Sequence, residues 1–253
     1  MYFLEKYKKT YPEKGRIALF WLGQAGFVIR NSQGETLVLD AYLSNLSERL
    51  DGNKRIMMPI LEAEDVRADV VLISHCHTDH LDLDSLPQLM KYANVVYCDK
   101  TSKEMCEDIK GSGEKIKVAT IGEIYQHGDF AIEPVFCDHG DAAPDALGFL
   151  IQTKGIILYF PGDTSFQKDR MKYVMEKEID ILIIPINGEY GNMNERDAAM
   201  LAGQTKAKLT IPSHFWTFTR HKGNPYDFEL EMEAHYPDQQ TYTMCQGEVI
   251  MYP

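Results

Sequence analysis

Residues 70–81 read VVLISHCHTDHL. The first half is a short run of Val, Leu and Ile, rich in β-branched side chains, and it predicts a buried strand. The second half sets His75, His77, Asp79 and His80 in the order HxHxDH directly behind it. Side chains alternate along extended backbone, so a chain that leaves the strand still extended points His75, His77 and Asp79 to one side. His80, read as opening the following helix, turns its imidazole toward a second position beside the first. Neutral imidazoles and carboxylates are ligands for Zn, Mn or Fe. A cluster without thiolates suits an open, hydrolytic centre better than a closed structural zinc site.

Outward from this motif, similar apolar runs predict strands at 17–21, 27–30, 36–39, 95–97, 156–160, 181–185 and 209–212, most of them bounded by Gly, Asn, Asp or Pro. Helical spacing of apolar residues predicts helices at 83–92, 102–110, 168–178, 194–204 and 226–235. Strands cluster first and then alternate with helices, which predicts an α/β fold of sheets covered by helices. Four ionisable residues emerge at the carboxyl ends of predicted strands: Asp40 behind TLVL, His75 behind VVLIS, Asp163 behind ILYFPG and His214 behind LTIPS. That is where α/β folds assemble active sites. No linker, low-complexity tract or repeat interrupts the pattern, so one domain over 1–253 is expected.

Lys and Arg number 26 against 38 Asp and Glu, a net charge of −12 that repels polyanions and argues against a nucleic-acid partner. The segment MYFLEKYKKTYPEKG scatters charge through the N-terminus, and no apolar run reaches membrane-spanning length. A cytoplasmic protein without a membrane partner is expected. The five cysteines Cys76, Cys98, Cys106, Cys137 and Cys245 form no CxxC pair and read as idle thiols in a reducing compartment. A homo-oligomer is compatible with the sequence, which marks no interface.

HxHxDH behind an apolar strand resembles the signature of the metallo-β-lactamase superfamily. The resemblance implies an αββα four-layer sandwich, with two sheets face to face, helices outside and metals at one sheet edge. It also implies the rest of the ligand set. His139, in VFCDHGDAAPDALGFLI, falls in the place of the third ligand of the first metal. Asp163, in ILYFPGDT, falls in that of the carboxylate that bridges two metals or ligates one, and His214, in LTIPSHFWTF, in that of the last ligand of the second. Asp40 has no ligand place in this pattern. It is read either as accepting the distal ring proton of a ligand histidine or as a turn or cap residue. His127 reads as structural and His235 as solvated, and neither His221 nor His235 is assigned as a ligand.

Within the superfamily, WLGQAGF at 21–27, RIMMP at 55–59, PGDTSF at 161–166, GEYGNMNERDA at 188–198 and IPSHFWTF at 211–218 resemble the branch typified by L-ascorbate-6-phosphate lactonase. This chain is much shorter and has a compact loop behind His139. The resemblance implies one or two divalent transition-metal ions, Mn or Zn ahead of Fe. Such an ion lowers the pKa of water from near 16 to about 7, with Asp79 orienting the hydroxide and accepting its proton. The expected substrate is a small molecule, a lactone or ester of a sugar acid, phosphorylated or not. A phosphate needs cationic donors, for which Arg55 and the run Arg220, His221, Lys222 are candidates. Glu189, Tyr190 and Asn192 are candidate pocket groups, and Phe215, Trp216 and Phe218 candidate walls. The alternatives are a metal-dependent phosphodiesterase and a non-catalytic metal-binding regulatory protein on the same scaffold.

Overall fold

The structure, a computed structural model, describes residues 3–253. Met1 and Tyr2, at the head of the segment read for an export signal, lie outside the described residues. The first sheet takes Ile17–Gly23 (β1), Gly26–Asn31 (β2), Thr36–Leu39 (β3), Val70–Leu72 (β4), Val95–Cys98 (β5) and Ile116–Val118 (β6). The second takes Tyr125–His127 (β7), Phe130–Phe136 (β8), Leu147–Thr153 (β9), Ile156–Phe160 (β10), Ile181–Pro185 (β11), Leu209–Ser213 (β12) and Gln240–Thr241 (β13), and Val249–Tyr252 (β14) returns to the first sheet beside β1. The helices are Phe3–Lys9 (α1), Leu46–Asp51 (α2), Leu86–Tyr92 (α3), Lys100–Met105 (α4), Ser112–Lys115 (α5), Lys172–Met175 (α6), Glu195–Thr205 (α7) and Pro225–His235 (α8).

The continuous apolar character of the strands explains the layering. In β1, alternation sends Ile17, Leu19 and Trp21 into one apolar cluster and Ala18, Phe20 and Leu22 into another. β4 divides Val70 and Leu72 from Val71, and β5 divides Val95 and Tyr97 from Val96 and Cys98. A strand buried on both faces has to be apolar at every position. The outer cluster of the first sheet is closed by Tyr7 of α1 and by Leu86, Leu89 and Met90 of α3. The other cluster fills the space between the sheets and continues through the second to Ala198, Leu201 and Ala202 of α7 and to Phe228 and Met232 of α8. Helices, sheet, sheet and helices therefore stack in the order αββα.

Both sheets are mixed in the same way. β14, β1, β2 and β3 are antiparallel neighbours, and β3, β4, β5 and β6 are parallel ones. In the second sheet β7 to β10 pair antiparallel and β10 to β13 pair parallel. β3 and β10 are thus the strands at which the pairing sense changes, and Asp40 and Asp163 lie just beyond their carboxyl ends.

The structure departs from the sequence reading in several places, among them the helix expected at 102–110, which is α-helical only over Lys100–Met105. β8 and β9 are full strands that the apolar runs do not announce, because Pro134 interrupts one and Gly148 thins the other. Pro134 is accommodated because β7 pairs only with residues 130–132; at position 134 its carbonyl accepts from Gly122 N at 3.0 Å and there is no β7 partner for the N–H that proline lacks. The helix expected at 168–178 is α-helical only over Lys172–Met175. His80 does not open a helix: it lies in a turn closed by His80 N and Leu81 N donating to the His77 carbonyl at 2.9 and 2.7 Å, and α3 begins at Leu86.

That turn is anchored by Asp82, a buried carboxylate. It accepts from Leu43 N and Ser44 N at 2.9 Å each and from the hydroxyls of Ser44 and Ser85 at 2.6 Å each. It ties the loop behind β3 to the loop behind β4. Removing it strands the buried amide of Leu43 and the half-buried one of Ser44, so Asp82→Ala is expected to lower the unfolding free energy by about 3 kcal/mol. Urea denaturation checks this, and a loss under about 1 kcal/mol would contradict the anchoring role.

Candidate metal centre

The ionisable residues converge because five loops leave strand ends at one rim of the sandwich. Asp40 follows β3 directly, His214 follows β12 directly, and His75, His139 and Asp163 each lie three residues beyond β4, β8 and β10. The loops are tightly held. The peptide N–H and hydroxyl of Ser74 donate to Asp40 at 2.7 and 2.5 Å, and His80 Nδ1 donates to Asp40 Oδ2 at 2.7 Å. This leaves His80 Nε2 free to face inward. Asn192 Nδ2 donates to Asp163 Oδ2 at 2.7 Å, and the Cys137 thiol donates to the Asp163 carbonyl at 3.0 Å. Gly162, at φ 69°, is required in that turn, because a Cβ there would stand 2.8 Å from the Leu147 carbonyl oxygen. Among the described residues seven non-glycines have positive φ, and five of them lie around the centre: Asp40, His214 and Trp216 in these loops, Gln24 in the hairpin between β1 and β2 and Tyr190 in the loop behind β11. Backbone strain of order 1 kcal/mol per residue is concentrated where the side chains must be aimed.

Two donor groups result. His75 Nε2 and His139 Nε2 stand 3.0 and 3.2 Å from His77 Nδ1, with Asp163 Oδ2 at 4.0 Å from His139 Nε2. Beside them, His214 Nε2 stands 3.1 Å from His80 Nε2, 3.1 Å from Asp163 Oδ2 and 3.5 Å from Asp79 Oδ2. His80 Nε2 lies 3.5 Å from Asp163 Oδ1 and 3.7 Å from Asp79 Oδ2. Asp163 is common to both. The extended-chain expectation that grouped Asp79 with His75 and His77 is corrected: the turn at His77 carries Asp79 over to the second group, next to His214 and His221.

The donor set fits divalent metal ions. Ligands around a tetrahedral ion at about 2.0–2.1 Å are separated by about 3.3 Å, close to the spacings of both groups. Burial holds His75, His77 and His139 below the ordinary histidine value, with the His80 charge adding to the effect at the first two, so this triad is neutral and its lone pairs are free. At His80 and His214 burial pulls the same way, but Asp163 and Asp79 outweigh it. His80 rises well above its usual value and His214 to about 9. Against their own burial, Asp79 and Asp163 are held well below the carboxylate range by His80 and His214. The second group therefore demands positive charge, which a cation supplies in place of two protons.

A family profile described as a β-lactamase superfamily domain matches residues 18–214. The chain belongs to the metallo-β-lactamase superfamily. It is 28% identical over 236 residues to a UPF0173 metal-dependent hydrolase of Anaeromyxobacter dehalogenans, covering 87% of this chain and 82% of that one. Igni18, a metallo hydrolase from Ignicoccus hospitalis, superposes with a TM-score of 0.73 at 21% identity over 94% of this chain and 99% of that one. CmlA, a diiron β-hydroxylase from Streptomyces venezuelae, superposes with a TM-score of 0.68 at 14% identity, over 96% of this chain and 55% of that one. Metallo-β-lactamase folds thus carry more than one chemistry, and function has to be argued from the site.

Above the two donor groups the metallo-β-lactamase scaffold opens a cavity of about 500 Å³. Its floor is His77, Asp79, His139, Asp163 and His214, and its walls include Leu50 of α2, Met105 of α4, Phe218 and Tyr190. The expected phosphate-binding groups are elsewhere. Arg55 is buried, with its guanidinium donating to the carbonyls of Met57, Tyr42 and Ser44 and lying 4.3 Å over the Tyr42 ring. Arg220 is exposed and does not line the cavity, and Lys222 is paired with Glu189 at 2.5 Å. His221 faces the centre instead. Its ring stacks on His214 at 4.8 Å, and burial together with the His214 charge pulls it down to about 4, so it is no phosphate-binding cation at neutral pH. Asn192 holds Asp163, Phe215 packs on Trp21 in the core, and Trp216 is exposed outside the cavity. Tyr190 and Phe218 alone of the proposed pocket residues, besides His221, line it.

Gln24 was not legible as a site residue. It is buried and its Nε2 lies 2.6 Å from Asp79 Oδ2. The signal was the pair Gly23 and Gln24 within WLGQAGF, where a hairpin bulge aims a polar side chain inward.

The raised values of His80 and His214 have a consequence for the chelated protein. Groups whose folded value is raised bind protons more tightly when folded. Their contribution is complete below the unfolded value near 6.5 and is lost as pH rises through the folded one. Metal-free protein is therefore expected to lose stability between about pH 6.5 and 9, a decline that His214→Asn diminishes. Urea unfolding in chelator across this range checks it; stability that is flat or rises would contradict it.

Proposed function

We propose that this chain is a metal-dependent hydrolase, one domain acting on a small, uncharged carboxylic ester or lactone. The observation that carries the reading is the cavity itself. A donor set for two cations lies at its floor, Leu50, Met105 and Phe218 stand in its walls, and among the described residues no lysine or arginine lines it. A pocket that offers an anionic substrate no side-chain cation favours neutral groups. The likeness of WLGQAGF, PGDTSF and IPSHFWTF to the lactonase branch supports carboxylic-ester chemistry, while the placement of Arg55, Arg220, His221 and Lys222 removes the support for a phosphorylated substrate.

His75, His77 and His139 would hold one ion and Asp79, His80 and His214 a second, with Asp163 between them. Bound there, Mn, Zn or Fe would lower the pKa of a water to about 7 and supply positive charge for a developing oxyanion. Asp79 lies at the cavity floor with its carboxylate ionised, placed to orient the attacking water and accept its proton. Asp40 holds His80 in the tautomer that presents Nε2. Tyr190 and Phe218 pack edge-on against His221 at 5.9 and 4.9 Å, so the acyl or alkyl part of a substrate meets an aromatic rim.

The test is to load the protein with Mn²⁺ or Zn²⁺ and compare neutral lactones and acyl esters with phosphorylated analogues and with bis(p-nitrophenyl) phosphate. The neutral substrates are expected to show at least about tenfold higher kcat/KM than the phosphorylated ones, and Asp79→Asn to lower kcat by about 10²–10⁴ while an ion stays at the three-histidine position. Turnover of the diester alone would sink the ester-hydrolase reading in favour of a phosphodiesterase.

A further inference from the structure

Gln24 occupies a place that nothing in the hydrolase reading requires. Its backbone is left-handed, at φ 53°, and its carbonyl accepts from Trp21 Nε1 at 3.0 Å and from His214 N at 3.1 Å, so the hairpin that carries it is bonded to the loop that carries His214. Its side chain then runs inward. The amide nitrogen lies 2.6 Å from Asp79 Oδ2, 3.0 Å from His214 Nε2 and 3.4 Å from His221 Nδ1. Asp79, His214 and His221 are themselves one of the groups whose donor atoms lie close enough together to share a cation. The amide end of Gln24 therefore sits where those three donors meet, and its Oε1 is buried with no hydrogen-bond partner.

Two of these atoms, Asp79 Oδ2 and His214 Nε2, also belong to the second metal position. Asp79 Oδ2 can accept the amide N–H, and an amide nitrogen 3.0 Å from His214 Nε2 takes up room that a cation held by that nitrogen would need. A carboxylate oxygen engaged by an amide at 2.6 Å is likewise a poorer ligand in that direction. The three-histidine position has no such competitor, since none of His75, His77 and His139 bonds to Gln24.

We propose that Gln24 is a plug that weakens the second metal position, its amide competing with the cation for Asp79 Oδ2 and crowding it beside His214 Nε2, so that the centre takes up its two ions with very different affinities. The first ion enters the three-histidine position freely. The second enters only as Gln24 withdraws toward His221 and the cavity. Gln24 is a positioning residue, acting on the cation through two ligands, and the proposal rests on the reading of the centre as a two-ion site.

The test is metal titration of chelator-treated protein with Zn²⁺ and with Co²⁺, following stoichiometry by calorimetry and the cobalt absorption bands, for wild type, Gln24→Gly and Gln24→Asn. Glycine removes the side chain without straining the left-handed backbone. Asparagine tolerates that backbone and draws the amide back by one methylene, so at least one variant keeps the fold. Both are expected to tighten the second ion by at least about tenfold and to leave the first within about twofold. A second ion that binds more weakly in the variants would overturn the proposal and make the Gln24 amide a ligand, and an unchanged affinity would overturn it as well. Wild type that binds no ion at all would instead remove the two-ion reading on which the proposal stands.

Discussion

The Asp40 carboxylate is the constraint on which the site depends. It is fully buried, and it holds the peptide N–H and hydroxyl of Ser74 and the Nδ1 proton of His80 at 2.5–2.7 Å. A carboxylate taken out of water has to be met by donors on most of its lone pairs. Here the donors come from the segment that carries the histidines, so the same interaction satisfies the buried charge, fixes where the chain turns behind β4 and sets the tautomer of His80. Its own backbone is left-handed at φ 37°, strain that persists because the surrounding bonds over-determine it.

This constraint has a counterpart across the sandwich. β3 and β10 each have an antiparallel neighbour on one side and a parallel neighbour on the other, and each is followed by a buried aspartate, Asp40 directly behind β3 and Asp163 three residues beyond β10. Strand ends at such a change of direction leave a crevice, because the flanking connections depart to opposite sides. The two sheets present these crevices at one rim. One aspartate orients a histidine from outside, and the other reaches between the two donor groups. The near-symmetry of the topology is thus what allows one carboxylate to support the site and the other to belong to it.

Much of this was legible in the sequence, for a physical reason. A strand buried on both faces has to be apolar at every position, so an Asp or His directly behind it marks where the chain reaches the rim, and Asp40, His75, Asp163 and His214 announce themselves in this way. What was not legible depended on partners distant in sequence. Asp79 leaves the group of His75 and His77 because of a turn on the His77 carbonyl that spacing does not reveal. Arg55 looked like a free cation, yet the carbonyls of Tyr42, Ser44 and Met57 surround it, and only the folded loop brings those together. β8 and β9 were hidden by Pro134 and Gly148, residues that weigh against a strand locally; Pro134 is tolerated because the β7 ladder has ended there, and Gly148 because the Pro161 carbonyl oxygen would stand 3.0 Å from a Cβ. Gln24 stands within WLGQAGF but acquires its meaning only from Asp79 and His214, 55 and 190 residues away.

The convergent nitrogens and carboxylates are proposed to form two adjoining cation positions with Asp163 between them. The most direct measurement is anomalous X-ray scattering at the metal absorption edge, from crystals of the protein equilibrated with excess Zn²⁺ or Mn²⁺. Two peaks are expected, one enclosed by His75, His77 and His139 and one by Asp79, His80 and His214. Crystals that show no peak at the rim, or a peak bound by other residues, would contradict that arrangement.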